Sequence, residues 1–85
     1  MAGASTWMRS IMSPEKLVYM ANQIGKFFAN QGEEKAVAAV ADHLRRFWEP
    51  RMRAAIIEHL AAGGAGLDPF VAKAVASLAE TVKSP

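Results

Sequence analysis

Proline and glycine residues divide this 85-residue sequence into four segments, each of which repeats apolar residues at the spacing of an α-helix. Ser13-Pro14-Glu15 is a strong helix start, because serine can cap a helix, proline is favoured in its first turn and glutamate complements the helix dipole. Asp68-Pro69 repeats this pattern, whereas Gly32, Pro50 and the glycines of residues 63–66 end or break helices. No segment alternates with a period of two residues. The sequence therefore predicts an all-α fold, a small four-helix domain.

The apolar stripes define the expected helices, and the N-terminal residues fall outside them. In order along the four helices, the stripe residues are Leu17, Met20, Ala21, Ile24, Phe27, Phe28, Val37, Val40, Ala41, Leu44, Phe47, Trp48, Met52, Ile56, Leu60, Leu67, Phe70, Val71, Ala74, Val75, Leu78 and Val82. Trp7, Met8, Ile11 and Met12 follow no clear helical spacing. We therefore expect a loosely ordered N-terminal arm at residues 1–12 and a single helical domain at residues 13–85. The arm either becomes ordered on a partner or folds back onto the bundle, because an exposed apolar patch is costly.

Size and composition limit the classes of function open to the chain. A domain of 85 residues has a thin margin of stability, and such domains commonly depend on a disulfide, a metal or a partner. The sequence contains no cysteine, which excludes disulfides, thiolate zinc sites and iron–sulfur ligation. No apolar run approaches the roughly 20 residues needed to cross a bilayer, and the N-terminal residues do not resemble a secretory signal. We therefore expect a cytoplasmic protein without a membrane association, stabilised by a protein partner.

The residues that could carry chemistry form no catalytic or metal-binding pattern. His43 and His59 lie on different predicted helices, and neither belongs to a His-Glu-x-x-His motif. The glycine-rich residues 63–66 follow a helix rather than a strand, and no Lys-Ser or Lys-Thr pair follows them. We interpret this segment as a connector between helices. The sequence predicts no catalytic residue, no cofactor and no metal site in this chain.

The segment of residues 47–53 is the strongest candidate for a partner-binding site. Two bulky aromatic residues end the second helix, a proline turns the chain, and two arginines enter the third helix. Tryptophan and arginine are enriched in the hot spots of protein interfaces. The predicted partner-binding residues of this segment are Trp48, Pro50, Arg51, Met52 and Arg53.

The two arginines of this segment are poorly placed for helix stability alone. Cations in the first turn of a helix face the positive end of its dipole, which costs about 0.3–1 kcal/mol each. Glu33 and Glu49, or carboxylates on another protein, should offset this cost. The alternative interpretation is that Trp48 belongs to the core and that Arg51 and Arg53 are solvated.

Asn22 and Gln23 are two further candidates for partner binding. They fall off the apolar stripe of the first helix. Their amide groups both donate and accept hydrogen bonds and so are suited to holding the backbone of a partner. We predict them as polar anchors of the interface.

A small helical nucleic-acid-binding module is the competing class of protein. Its third helix would follow a short turn as a recognition helix. The basic patch would consist of Arg45, Arg46, Arg51 and Arg53. The net charge of +2 is modest for such a protein, and Glu49 and Glu58 lie beside the patch. We therefore expect a protein partner and no nucleic acid.

Three runs of the sequence resemble a known family. They are Met-Ala-Asn-Gln-Ile-Gly-Lys-Phe-Phe at 20–28, His-Leu-Arg-Arg-Phe-Trp-Glu-Pro-Arg-Met-Arg at 43–53 and Gly-Leu-Asp-Pro at 66–69. Together they resemble the delta subunit of the bacterial NAD-dependent formate dehydrogenase that contains molybdenum or tungsten. The likeness covers about residues 13–75, and the Phe-Trp-x-Pro-Arg-Met-Arg run is its most specific part. The first twelve residues fall outside it.

The resemblance implies a multisubunit enzyme that interconverts formate and carbon dioxide with NAD. In that family the alpha subunit holds a bis-molybdopterin guanine dinucleotide centre with molybdenum or tungsten and iron–sulfur clusters. The beta subunit holds FMN and the NAD site, and the gamma subunit carries a further cluster. For this chain, the resemblance implies a cofactor-free accessory subunit that docks on the alpha subunit. Support of holoenzyme stability and support of metal-cofactor maturation are the two alternatives for its role.

Overall fold

Four α-helices follow one another along the chain in this computed structural model, which describes the backbone of residues 13–83 and the side chains of residues 13–81. Helix α1 spans Pro14–Phe28 and continues into a 3₁₀ turn at Ala29–Gln31, and helix α2 spans Glu33–Phe47. Helix α3 spans Pro50–Ala61, and helix α4 spans Pro69–Lys83. No strand occurs among the described residues. The predicted all-α, four-helix fold is confirmed.

The predicted N-terminal arm, residues 1–12, lies outside the described residues, as do residues 84 and 85. The boundary between the arm and the helical domain therefore stays a prediction. Within the described part of the chain, none of the helices has the length and apolarity needed to span a bilayer.

The helices begin and end where proline, glycine and capping residues stand in the sequence. The Ser13 side chain accepts a hydrogen bond from the backbone N–H of Lys16 at 3.3 Å, and Pro14 occupies the first helical position. Gly32 has a φ of +95°, a conformation that favours glycine, where the chain turns into α2. The backbone is extended at Glu49, directly before Pro50, as proline requires of the preceding residue.

The core lies between all four helices, and α4 packs most extensively on α2. Its buried residues are mainly aliphatic. They are Leu17, Val18, Ala21, Val40, Leu44, Trp48, Ile56, Val71, Ala74, Val75 and Leu78. Burial of these side chains supplies the main driving force for folding.

Helices α1 and α4 approach each other closely at a glycine. A Cβ atom on Gly25 would lie 2.5 Å from Cγ2 of Val71 and 3.1 Å from Cζ of Phe70. Both distances are shorter than ordinary van der Waals contact. The absence of a side chain at residue 25 thus lets the two helices pack together.

Two phenylalanines of the predicted stripes differ from their neighbours, because they face solvent. Phe27 is 78% exposed and Phe47 is 70% exposed. Each lies in the last turn of its helix, next to a second aromatic residue, Phe28 or Trp48, that packs with the core. Adjacent residues on a helix point about 100° apart, so only one ring of each pair can face the core.

Candidate partner-binding surface

Trp48 lies in the core of the chain. Its side chain is 6% exposed, and its backbone N–H donates to the carbonyl oxygen of Leu44 at 3.1 Å. Of the two interpretations of Trp48, the structure therefore agrees with the core. A ring that is buried in its own domain has little surface left for a partner, so Trp48 positions the bend between α2 and α3 rather than presenting itself outward.

Arg53 binds the end of the preceding helix. Its guanidinium donates hydrogen bonds to the carbonyl oxygen of Trp48 and, at 3.2 Å, to that of Arg45. These carbonyls belong to the C-terminal end of α2, where the helix dipole is negative. The expectation that Glu33 or Glu49 offsets this cation is therefore wrong for Arg53, because carbonyl groups of α2 do so. Glu33 instead forms an ion pair with Lys73 of α4.

The other predicted residues of this segment differ in exposure. Pro50 and Arg51 are exposed at the start of α3, whereas Met52 is half-buried and packs against the core. Exposed surface at the start of α3 is thus supplied chiefly by Pro50 and Arg51. The role of these residues in partner binding stays a prediction.

Asn22 holds a loop of its own chain. Its Nδ2 donates to the carbonyl oxygen of Gly66 at 2.9 Å, and its Oδ1 accepts from the backbone N–H of Asp68 at 3.0 Å. Both contacts are to the connection between α3 and α4. The Asn22 amide was predicted to hydrogen-bond the backbone of a partner. It does bond to a backbone, but to that of its own chain. Its amide oxygen and nitrogen are already engaged, which leaves Asn22 poorly suited to anchor a partner.

Gln23 points to a different surface. Its side chain is exposed and lines a shallow depression of about 280 Å³ together with Ile24, Phe27, Phe28 and His43. This depression lies on α1 and α2, away from the α3–α4 connection that Asn22 holds. Gln23 therefore remains available for an intermolecular contact.

A row of aromatic rings lies beside this depression. The ring of Phe27 is edge-on to that of Phe28, with centroids 5.0 Å apart, and Phe28 lies 6.4 Å from His43. The His43 ring in turn lies 4.8 Å from that of Phe47. We call Phe27, Phe28, His43 and Phe47 the aromatic surface. Exposed aromatic groups of this kind are characteristic of interface anchors.

The three phenylalanines lie on the predicted apolar stripes, but the aromatic surface itself was not predicted from the sequence. The available signal was the pairing of bulky residues at the ends of two helices, Phe27-Phe28 and Phe47-Trp48. Such a pair cannot bury both rings against one core. His43, for which the sequence predicted no catalytic or metal-binding role, contributes its ring to this surface.

The two histidines are not brought together, and the described side chains include no cluster of three or more metal-ligating groups. His59 Nε2 donates to the carbonyl oxygen of Ala65 at 2.8 Å, which fixes the glycine-rich connection. Gly63, Gly64 and Gly66 in that connection all have positive φ, as expected for a turn between helices. The segment is thus a connector between helices, as its sequence predicted.

The predicted basic patch is largely engaged within the chain. Arg45 Nη2 lies 2.5 Å from Oδ1 of Asp42, and Arg46 Nε lies 3.1 Å from its Oδ2. Arg53 donates to backbone carbonyls, as described above. This arrangement provides little of the cationic surface that phosphate binding requires.

These features define a class of protein: a small helical domain whose most distinctive exposed chemistry is an apolar, aromatic surface. The sequence profile of the NADH-dependent formate dehydrogenase delta subunit family, FdsD, matches residues 16–75, which is more than half of the chain. The chain therefore belongs to this family of formate dehydrogenase delta subunits. Searches of curated proteins and of solved structures each give no significant match.

Proposed function

We propose that this chain is a non-catalytic subunit that docks on the catalytic alpha subunit of an NAD-dependent formate dehydrogenase and stabilises the assembled enzyme. The observation that carries the proposal is the family match over residues 16–75, which identifies a delta subunit of this enzyme. The exposed aromatic rings of Phe27 and Phe47 support it, because rings of this size in water favour a protein contact.

The cofactors of the proposed complex belong to its other subunits. Bis-molybdopterin guanine dinucleotide with molybdenum or tungsten and iron–sulfur clusters would lie in the alpha subunit, FMN and NAD in the beta subunit, and a further cluster in the gamma subunit. The donor set of this chain fits none of the metal groups, because the sequence has no cysteine and the described side chains include no cluster of metal-ligating groups. Its proposed contribution is therefore structural.

The proposed mechanism is stabilisation by mass action. A subunit that binds the folded form of the alpha subunit and not its unfolded form shifts the folding equilibrium toward the folded form. At a concentration of the delta subunit 100 times its Kd, this linkage contributes about 2.7 kcal/mol. In the alternative role, this chain supports insertion of the metal cofactor, and its removal would lower the metal content of the alpha subunit.

The test is production of the alpha, beta and gamma subunits with and without this chain. We expect the chain to co-purify with the alpha subunit and to raise the thermal midpoint of the enzyme, with metal and pterin content per alpha subunit unchanged. A loss of metal and pterin without the chain would instead assign it the maturation role. Failure of the chain to bind the alpha subunit would contradict the proposed function.

A further inference from the structure

The aromatic surface stands out from the rest of the described molecule. Phe27 and Phe47 are two of the three large hydrophobic residues that are strongly exposed, and they lie on adjoining helices with Phe28 and His43 between them. The third, Tyr19, also lies on α1, two helical turns before Phe27. Hydrophobic side chains that lie singly on a surface are ordinary, whereas a contiguous group of them marks an interaction site.

We propose that the aromatic surface, rather than the start of α3, is the centre of the docking site for the alpha subunit, and that it receives apolar side chains flanked by carboxylates. This inference rests on the proposed function and specifies which face of the chain carries it. The adjoining depression, lined by Gln23, Ile24, Phe27, Phe28 and His43, accommodates the apolar side chains.

The charge around the aromatic surface identifies the chemistry of the partner. None of the residues lining the depression is acidic. Lys26 is exposed on α1 one turn from Gln23, and no described carboxylate forms an ion pair with it. Arg46 lies one turn from His43 on α2, and its charge is balanced by Asp42, so the unbalanced positive charge of the rim is that of Lys26. The rim therefore carries excess positive charge, which is complementary to carboxylates.

The same features disfavour a second copy of this chain as the occupant. A stable interface buries about 800 Å² on each partner, whereas two phenylalanine side chains bury at most roughly 300–500 Å². A second copy would have to supply the remainder through rims that carry the same charge as this one, which is destabilising. A different subunit with an acidic rim could supply the remaining buried area without repulsion between like charges.

Exposed aromatic residues inside and outside the aromatic surface allow a direct test with a matched control. The double variant Phe27→Ser/Phe47→Ser removes the two exposed rings, and Tyr19→Ser removes an exposed ring of the same helix outside the aromatic surface. Binding of each full-length chain to the purified alpha subunit is measured by titration calorimetry, with circular dichroism to verify the fold. We expect the double variant to weaken binding roughly 30-fold or more and Tyr19→Ser to change it less than about 3-fold.

A second measurement tests the charge of the rim and does not depend on removing a ring. Lys26→Glu should weaken binding several-fold and make it less favourable at low salt, whereas Lys16→Glu, at the other end of α1, makes the same change in net charge and should have little effect. If the double variant folds poorly, a photoreactive benzoylphenylalanine at position 27 should crosslink to the alpha subunit, and the same group at position 19 should not.

The outcomes separate this inference from the proposed function. If the unaltered chain does not bind the alpha subunit, both fail. If it binds and the double variant binds equally well, the aromatic surface is not the docking site, although the proposed function stands. Formation of dimers by the isolated chain that the double variant abolishes would assign the surface to a second copy and overturn the proposal.

Discussion

Gly25 lies against Val71 so closely that a Cβ atom on the glycine would be 2.5 Å from Cγ2 of the valine. Val71 is completely buried, and Cζ of Phe70 would lie 3.1 Å from the same Cβ atom. The two helices, α1 and α4, can therefore pack this closely only because residue 25 has no side chain. This contact explains why a glycine is present in the fourth turn of α1, where it lowers helix propensity.

Substitution of this glycine should destabilise the domain even though alanine is the better helix former. Gly25→Ala gains about 1 kcal/mol of helix propensity but forces overpacking that costs roughly 1–3 kcal/mol, so we expect a lower urea midpoint. The measurement is urea unfolding followed by circular dichroism. In a Val71→Ala background, where space is available, Gly25→Ala should be neutral or stabilising. The same destabilisation in both backgrounds would contradict the close contact as its cause.

A second prediction separates the two adjacent amides of α1. Asn22→Ala removes two hydrogen bonds to the α3–α4 connection and should lower the free energy of unfolding by about 1–2 kcal/mol. Gln23→Ala should change it by less than about 0.5 kcal/mol, because Gln23 is exposed. Asn22→Asp should fall between, since a carboxylate accepts from Asp68 N–H but cannot donate to Gly66. Equal effects of the two alanine variants would contradict this assignment.

A third prediction concerns the neighbouring rings at the end of α2. Trp48→Ala should lower the free energy of unfolding by roughly 3–5 kcal/mol, because it empties a site in the core. Phe47→Ala should cost less than about 1 kcal/mol, because 70% of that side chain is already in water. Urea unfolding of both variants provides the comparison. A larger loss for Phe47→Ala would place its ring, and not that of Trp48, in the core.

The local features of the fold could be predicted from the sequence. Ser13, Pro14, Gly32 and Pro50 determine where helices begin or end through their own backbone and capping preferences, and the observed boundaries follow them closely. The helical spacing of the stripes likewise predicted most of the core. These properties depend on residues a few positions apart in the chain.

The assignment of individual side chains to partner or core could not be predicted in the same way. Asn22 is engaged by residues 44 and 46 positions later in the chain, a pairing that depends on how α1 meets the α3–α4 connection. Whether Phe27 or Phe28 is buried depends on which neighbouring helix covers the end of α1. The spacing of apolar residues in the sequence does not predict that contact. The paired aromatic residues in the sequence indicate that one ring of each pair is exposed, but which ring it is depends on how the helices pack.

The bond from Arg53 to the end of α2 has a consequence for sequence variation at this bend. The acceptors are main-chain carbonyls of Arg45 and Trp48, so the guanidinium is indifferent to the side chain that position 45 carries. Arg45 could therefore be replaced by another helix-forming residue without loss of the hydrogen bond that holds α3 to the end of α2. Position 53 is more restricted, because both hydrogen bonds come from Nη1 at the end of a long side chain, and a shorter or acceptor-only side chain could not replace them.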